Sequence, residues 1–152
     1  MMLLALDPGG TTGWALFEAG VPLRWGQAKE WDPWDALLQH GVDVVVYERF
    51  ALYASKVADL VQDEVIAAQR IGVIRYLAGR LIPPPLIVVQ PALCIHYTPA
   101  GRATPTLPPI LKALVDAVCP TGPHQRDALA HGFYALRYNV KVKELHINGT
   151  RH

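Results

Sequence analysis

Cysteine is scarce: Cys94 and Cys119 are the only two in 152 residues. Two are too few for a disulfide scaffold and lack the close paired spacing of a zinc site, so both read as buried thiols of a reducing compartment. Long apolar runs are missing as well. The opening Met1–Leu6 stretch meets Asp7 too soon for a signal-peptide core, and nothing stays apolar for the twenty residues that cross a bilayer. A cytoplasmic protein without a membrane partner is expected, in which the sequon Asn148-Gly149-Thr150 meets no glycosylation machinery. Excess charge is absent too, since 14 Lys/Arg face 13 Asp/Glu. A net charge of +1 does not advertise a nucleic-acid binder. The distribution says more: residues 1–76 hold six basic against ten acidic side chains, and residues 77–152 hold eight against three. An acidic cluster within a basic surround suits a metal-dependent enzyme acting on phosphates, and uneven surface charge is the plainer alternative.

What is present is enough apolar material, 51% of the chain, for one domain with its own core. Leu3–Leu6 reads as a buried strand, and the run from Gly13 to Trp31 as two more strands around a turn at Ala19-Gly20. Short connections make these three antiparallel. "DPWDALLQHG" carries helix signals: Asp32 as N-cap, Pro33 in the first turn, Gly41 past the end. "VDVVVYER" is β-branched and fit for a central strand. From Ser55 to Arg80, apolar residues at 57, 60, 61, 65, 68, 71, 74 and 77 advance by three or four, which predicts a long amphipathic helix. "LIVVQP" is a short buried strand stopped by Pro91. Residues 94–109, with Gly101 and four prolines, form a loop before a helix around "ILKALVDAV". "PTGPHQRDALAHGFYALRY" supplies the last helix. The order βββαβαβαα gives an α/β fold: a mixed five-stranded sheet, three strands antiparallel plus two parallel, flanked by helices, with the first and fourth strands as central neighbours. Residues 1–139 form the domain; 140–152 are a tail, either an edge strand or disordered. No repeat or low-complexity segment occurs.

Asp7 stands where the first strand leaves the core, and Glu48 at the matching place on the fourth. One carboxylate there is compatible with simple solvation. Two on adjacent strands lie about 5 Å apart and repel, which a divalent cation resolves. In "PHQRDALAHGFYAL", His124 and Asp127 share one helix face, although a helix N-terminus also favours an acidic residue through its dipole. Ala128, Ala130, Gly132 and Ala135 would let this helix lie close to the sheet. Together Asp7, Glu48, Asp127 and His124 offer hard oxygens and one imidazole, a set suited to Mg²⁺ or Mn²⁺ rather than structural zinc. Two such ions about 4 Å apart would hydrolyse a phosphodiester by in-line attack.

"LALDPGGTTGWAL", "VVVYERF" and "HQRDALAHGFYAL" resemble, in order and spacing, the three acidic motifs of RuvC-type Holliday-junction resolvases, members of the RNase H-like superfamily. The resemblance spans residues 2–138. It implies an RNase H-like fold, Asp7 shared by two metal ions, and Glu48 and Asp127 completing the site. His124 stands where many relatives have a further aspartate, so it is either a neutral metal ligand or a base. His131, one turn beyond Asp127, reads as a packed helix histidine, with an orienting role behind the ligands as the alternative. Pro8, Gly9 and Gly10 end the strand sharply and leave room for a phosphate beside Asp7, to which Thr11 and Thr12 would donate hydrogen bonds.

The resemblance further implies that Phe50, after the second acidic strand, stacks on bases at the junction's exchange point, with Tyr53 a second candidate and core capping the alternative role for Phe50. Lys56, Arg49, Arg102 and Lys112 are expected phosphate contacts. Branched DNA is the expected partner, Mg²⁺ or Mn²⁺ the cofactor with two ions per site, and no small-molecule cofactor is expected. A homodimer matches the near two-fold symmetry of a four-way junction, and the helix from Ser55 to Arg80 is its candidate element unless it is simply buried. The implied setting is a bacterial or phage-infected cell. "DPGGTTG" is also similar to the first phosphate motif of the actin and sugar-kinase superfamily, but those enzymes close two such domains on ATP and this chain has room for one. A non-catalytic DNA-binding member of the fold has no physical reason to keep mutually repelling carboxylates. Nucleases for other branched DNA or for RNA–DNA hybrids would use the same metal chemistry.

Overall fold

The first strand is apolar on both faces, so it must be covered on both sides, and the architecture follows from that. The computed structural model describes residues 1–29, 32–49, 62–90, 107–119 and 121–140. Their elements are β1 (Met2–Asp7), β2 (Thr12–Glu18), β3 (Val21–Ala28), α1 (Asp32–Gln39), β4 (Val44–Glu48), α2 (Gln62–Arg80), β5 (Leu86–Gln90), α3 (Pro109–Val118) and α4 (Pro123–Tyr134). A wide π-helical turn, Ala135–Asn139, prolongs α4. The strands form one sheet in the order β3-β2-β1-β4-β5. Pairs β1/β2 and β2/β3 are antiparallel, and β1/β4 and β4/β5 are parallel. The expected mixed sheet is therefore present, with β1 and β4 adjacent at its centre.

Period-two alternation divides the sheet's side chains between two cores. Leu3, Ala5, Ala15, Phe17, Val44 and Val46 pack with Leu111 and Val115 of α3 and Ala128, Leu129 and Phe133 of α4. On the other face Leu4, Leu6, Leu16, Val45 and Tyr47 pack with Trp34 and Leu37 of α1 and Ile74 and Ala78 of α2. The small residues of α4 allow a very close approach: a Cβ added to Gly132 would fall 2.1 Å from the Phe17 ring. Phe17 and Phe133 meet edge-to-face at 5.2 Å between centroids, a favoured aromatic geometry.

In α2 the inward stripe differs from the expected one. Ile71, Ile74 and Leu77 do face the core, but Ala68 is exposed and Ala67 and Arg70 turn inward instead. Arg70 is buried, and its guanidinium donates to the Lys29 carbonyl. The expected start of this helix at residues 55–61 lies outside the described residues, as does the 141–152 part of the tail. Among the described residues no helix is long and apolar enough to cross a membrane.

Candidate metal centre

Side-chain parity places the polar residues. Asp7 continues the Leu3, Ala5 series of β1, Glu48 continues Val44, Val46 of β4, and Gln90 continues Val88 of β5, so all three emerge on the face covered by α4. Leu6 pairs with Tyr47, so the next residues along these parallel strands, Asp7 and Glu48, are neighbours; Glu48 in turn pairs with Gln90. Three adjacent strands thus end in Asp, Glu and Gln on one rim.

Helix α4 brings its own polar side chains down onto that rim. His124 Nδ1 lies 3.0 Å from Asp7 Oδ2, and His131 Nε2 lies 3.3 Å from Glu48 Oε2. Asp127 is three residues after His124 and four before His131, so it occupies the same helix face between them. This approach depends on Gly13, which pairs with Asp7: a Cβ there would sit 1.9 Å from the His124 carbonyl oxygen. One ligand atom each of Asp7, Glu48 and His131 lie within 4.8 Å of one another. The two carboxylates are only 16% and 17% exposed, where mutual repulsion is poorly screened and a cation is strongly favoured. Carboxylate oxygens with an imidazole nitrogen form a donor set that could hold a divalent cation. Beside them opens a cleft of about 60 Å³ lined by Asp7, Pro8, Glu48, Arg49, Ala67 and Ile71.

Not every expected contact residue faces this cleft. Arg49 does: its side chain is exposed at the rim while its backbone N–H donates to the Gln90 carbonyl at 2.7 Å. Thr11 is half-buried in the turn after β1. Thr12 must be corrected, because it is fully buried and its hydroxyl turns back on the Gly9 carbonyl at 3.4 Å, so it supports the turn and does not reach a phosphate. Phe50, Tyr53, Lys56 and Arg102 lie outside the described residues.

Lys112 is on α3 with its ammonium 2.6 Å from Asp116, which also accepts from Arg126. The Lys112 and then the Arg126 hydrogen bonds hold the exposed Asp116 carboxyl below its ordinary value of 3.8. The stabilisation is present above the unfolded-state pKa and disappears as pH falls through the lowered folded-state pKa. Asp116→Asn is therefore expected to lower stability slightly at pH 7, and the gap to wild type should close below about pH 4. Urea unfolding at pH 7 and pH 3 measures it.

Two residues of the rim carry more than the sequence reading gave them. Gln90 is fully buried, and its register with Glu48 was the signal that marks it. His131 is fully buried as a packed helix histidine, yet it also contacts Glu48 and Gln90.

No family model matches this sequence, and no curated protein matches it. Structure comparison finds T. thermophilus RuvC, solved in complex with a Holliday junction substrate, with a TM-score of 0.61 over 91% of this chain and 96% of that one at 14% identity. The fold is that of RuvC. The Fowlpox virus resolvase, solved with Holliday junction DNA, aligns over the same shares with a TM-score of 0.52 at 12% identity. The RuvC fold accounts for the mixed sheet order.

Proposed function

We propose that this chain is a divalent-metal-dependent endonuclease that resolves four-way DNA junctions by paired symmetric nicks. The observation that carries the reading is the gathering of Asp7 and Glu48 from adjacent strands under the imidazoles of α4, on a RuvC fold. Asp7, Glu48, Asp127 and His124 hold Mg²⁺ or Mn²⁺, with two ions per site. When bound, the ions supply an acidified water and charge compensation at the departing 3′ oxygen. The protein's own part is to fix these donors and to present the scissile phosphate. The turn Pro8-Gly9-Gly10 leaves backbone beside Asp7, where the phosphate enters, and Arg49 at the cleft supplies positive charge to it.

Phe50 and Tyr53 stack on unpaired bases near the exchange point, each stack contributing about 1–3 kcal/mol. Lys56, Arg102 and Lys112 hold the arms through phosphates, so binding weakens with salt. Paired nicks in opposing strands require two sites related by a two-fold axis. The outward face of α2, with Tyr76 exposed, is available for a second copy.

The test is a labelled synthetic junction incubated with Mg²⁺ or Mn²⁺ and with chelator. Symmetric paired nicks that vanish on chelation are expected. Cleavage of flaps or RNA–DNA hybrids with intact junctions would transfer the protein to another nuclease class, and binding with no cleavage of any of them would make it a non-catalytic DNA-binding protein.

A further inference from the structure

We infer that His131 is itself a metal ligand, through Nε2, and that Gln90 is the residue that positions it. This rests on the metal-nuclease reading above and adds to its ligand set a side chain from deeper along α4.

The argument begins with an acceptor that cannot change its role. The backbone carbonyl of His131 lies 3.2 Å from the Gln90 side-chain nitrogen, and a carbonyl only accepts, so the Gln90 amide must turn its NH₂ this way. The same nitrogen donates to Asn139 Oδ1 at 3.2 Å. The Gln90 oxygen then faces His131 Nδ1 at 2.7 Å and requires a proton there. With Nδ1 as donor, Nε2 is the nitrogen whose lone pair a metal would take from the neutral form of the ring. That lone pair points at a Glu48 carboxylate oxygen 3.3 Å away, within 4.8 Å of an Asp7 oxygen. Three electron-rich atoms face one another in a setting where His131 has no access to solvent.

Such an arrangement is what a cation requires. A ligating imidazole typically donates its other ring N–H to a carbonyl or carboxylate, which fixes ring orientation and tautomer. Gln90 does this here from the end of β5. The π-helical turn after α4 completes the support, because its wide backbone places Asn139 beside Gln90.

The test uses the full chain loaded with one equivalent of Mn²⁺ and pulsed EPR, which detects nitrogen directly bound to manganese. His124→Gln, which leaves His131 as the imidazole at the rim, should still show nitrogen coupling as wild type does, and the double variant His124→Gln/His131→Gln should lose it. Gln90→Leu should weaken Mn²⁺ binding by about 10–100-fold in a titration. Coupling that disappears in His124→Gln and persists in His131→Gln would overturn the assignment. So would bound Mn²⁺ without nitrogen coupling in wild type, which would leave the Nε2 site holding a proton against Glu48, or a failure to bind Mn²⁺ at all. If His131→Gln does not fold, wild type, His124→Gln and Gln90→Leu still decide. A chain with the nitrogen signal that never cuts junctions keeps this inference and loses the proposed substrate; junction cleavage without the signal does the reverse.

Discussion

Asp7→Asn is expected to lower junction cleavage at least about 10³-fold, roughly 4 kcal/mol at 1.36 kcal/mol per tenfold, without unfolding the protein. Asp7 ends the central strand, between Glu48 on the parallel side and Gly13 on the antiparallel side, with His124 above it. It is therefore the carboxylate that the rest of the rim surrounds. An asparagine there still accepts a hydrogen bond from His124 but carries no charge for a cation. Stability should respond in the opposite sense to activity. In chelator the variant melts no lower than wild type, because a half-buried carboxylate no longer repels Glu48. Added Mg²⁺ stabilises wild type by mass action, about 2.7 kcal/mol at a hundredfold excess over Kd, and leaves the variant nearly unmoved. Melting curves with and without Mg²⁺ read both effects. A variant that still cuts, or that melts several degrees lower in chelator, would make Asp7 a structural residue.

This contrast rests on features that the sequence displays with unequal clarity. The sheet was legible because each strand is a short apolar run closed by a turn signal, and because β1 and β4 are apolar on both faces, as only central strands are. Parity along those strands already sets Asp7 and Glu48 on one face, so their meeting needed only the adjacency of β1 and β4. The small residues of α4 similarly foretold its close packing. Less was visible where a side chain's role depends on a partner far away in the chain. Thr12 looks like a phosphate ligand in "GGTTG" until its place in β2, opposite Ala28 of β3, buries it. Gln90 looks like an ordinary strand end until its neighbour is known to be Glu48. His131 is flanked in sequence by small and apolar residues, and its two ring nitrogens acquire meaning only from β4 and β5. The α2 stripe slipped at Ala68 for a related reason: Arg70 is buried through its bond to the distant Lys29 carbonyl, and hydrophobic periodicity cannot register it.

Gly13→Ala is expected to damage the site from outside it. The residue carries no chemistry, yet its added methyl would lie 1.9 Å from the His124 carbonyl oxygen and 2.2 Å from the carbon. Both are backbone atoms, so no rotamer change relieves the overlap, and either β2 or the first turn of α4 must move. The helix end is the softer choice: Thr121 and Gly122, which precede it, belong to no strand. Moving it lifts His124 off Asp7 and carries Asp127 with it. Overpacking of this kind costs about 1–3 kcal/mol, which lowers the melting midpoint by roughly 2–4 °C per kcal/mol in a chain of this size. The loss of activity should be larger than that loss of stability, on the order of 10²-fold, since a displacement of about 1 Å is enough to spoil catalytic positioning. Gly72→Ala is the matching control. It lies on the exposed side of α2 with nothing within 4 Å of the new carbon, so the helix should gain about 0.4–1 kcal/mol and His124 should stay against Asp7. Melting and cleavage measured on both variants separate the two ideas: equal small losses in both would mean that α4 does not depend on a bare backbone at position 13 to reach the acidic rim.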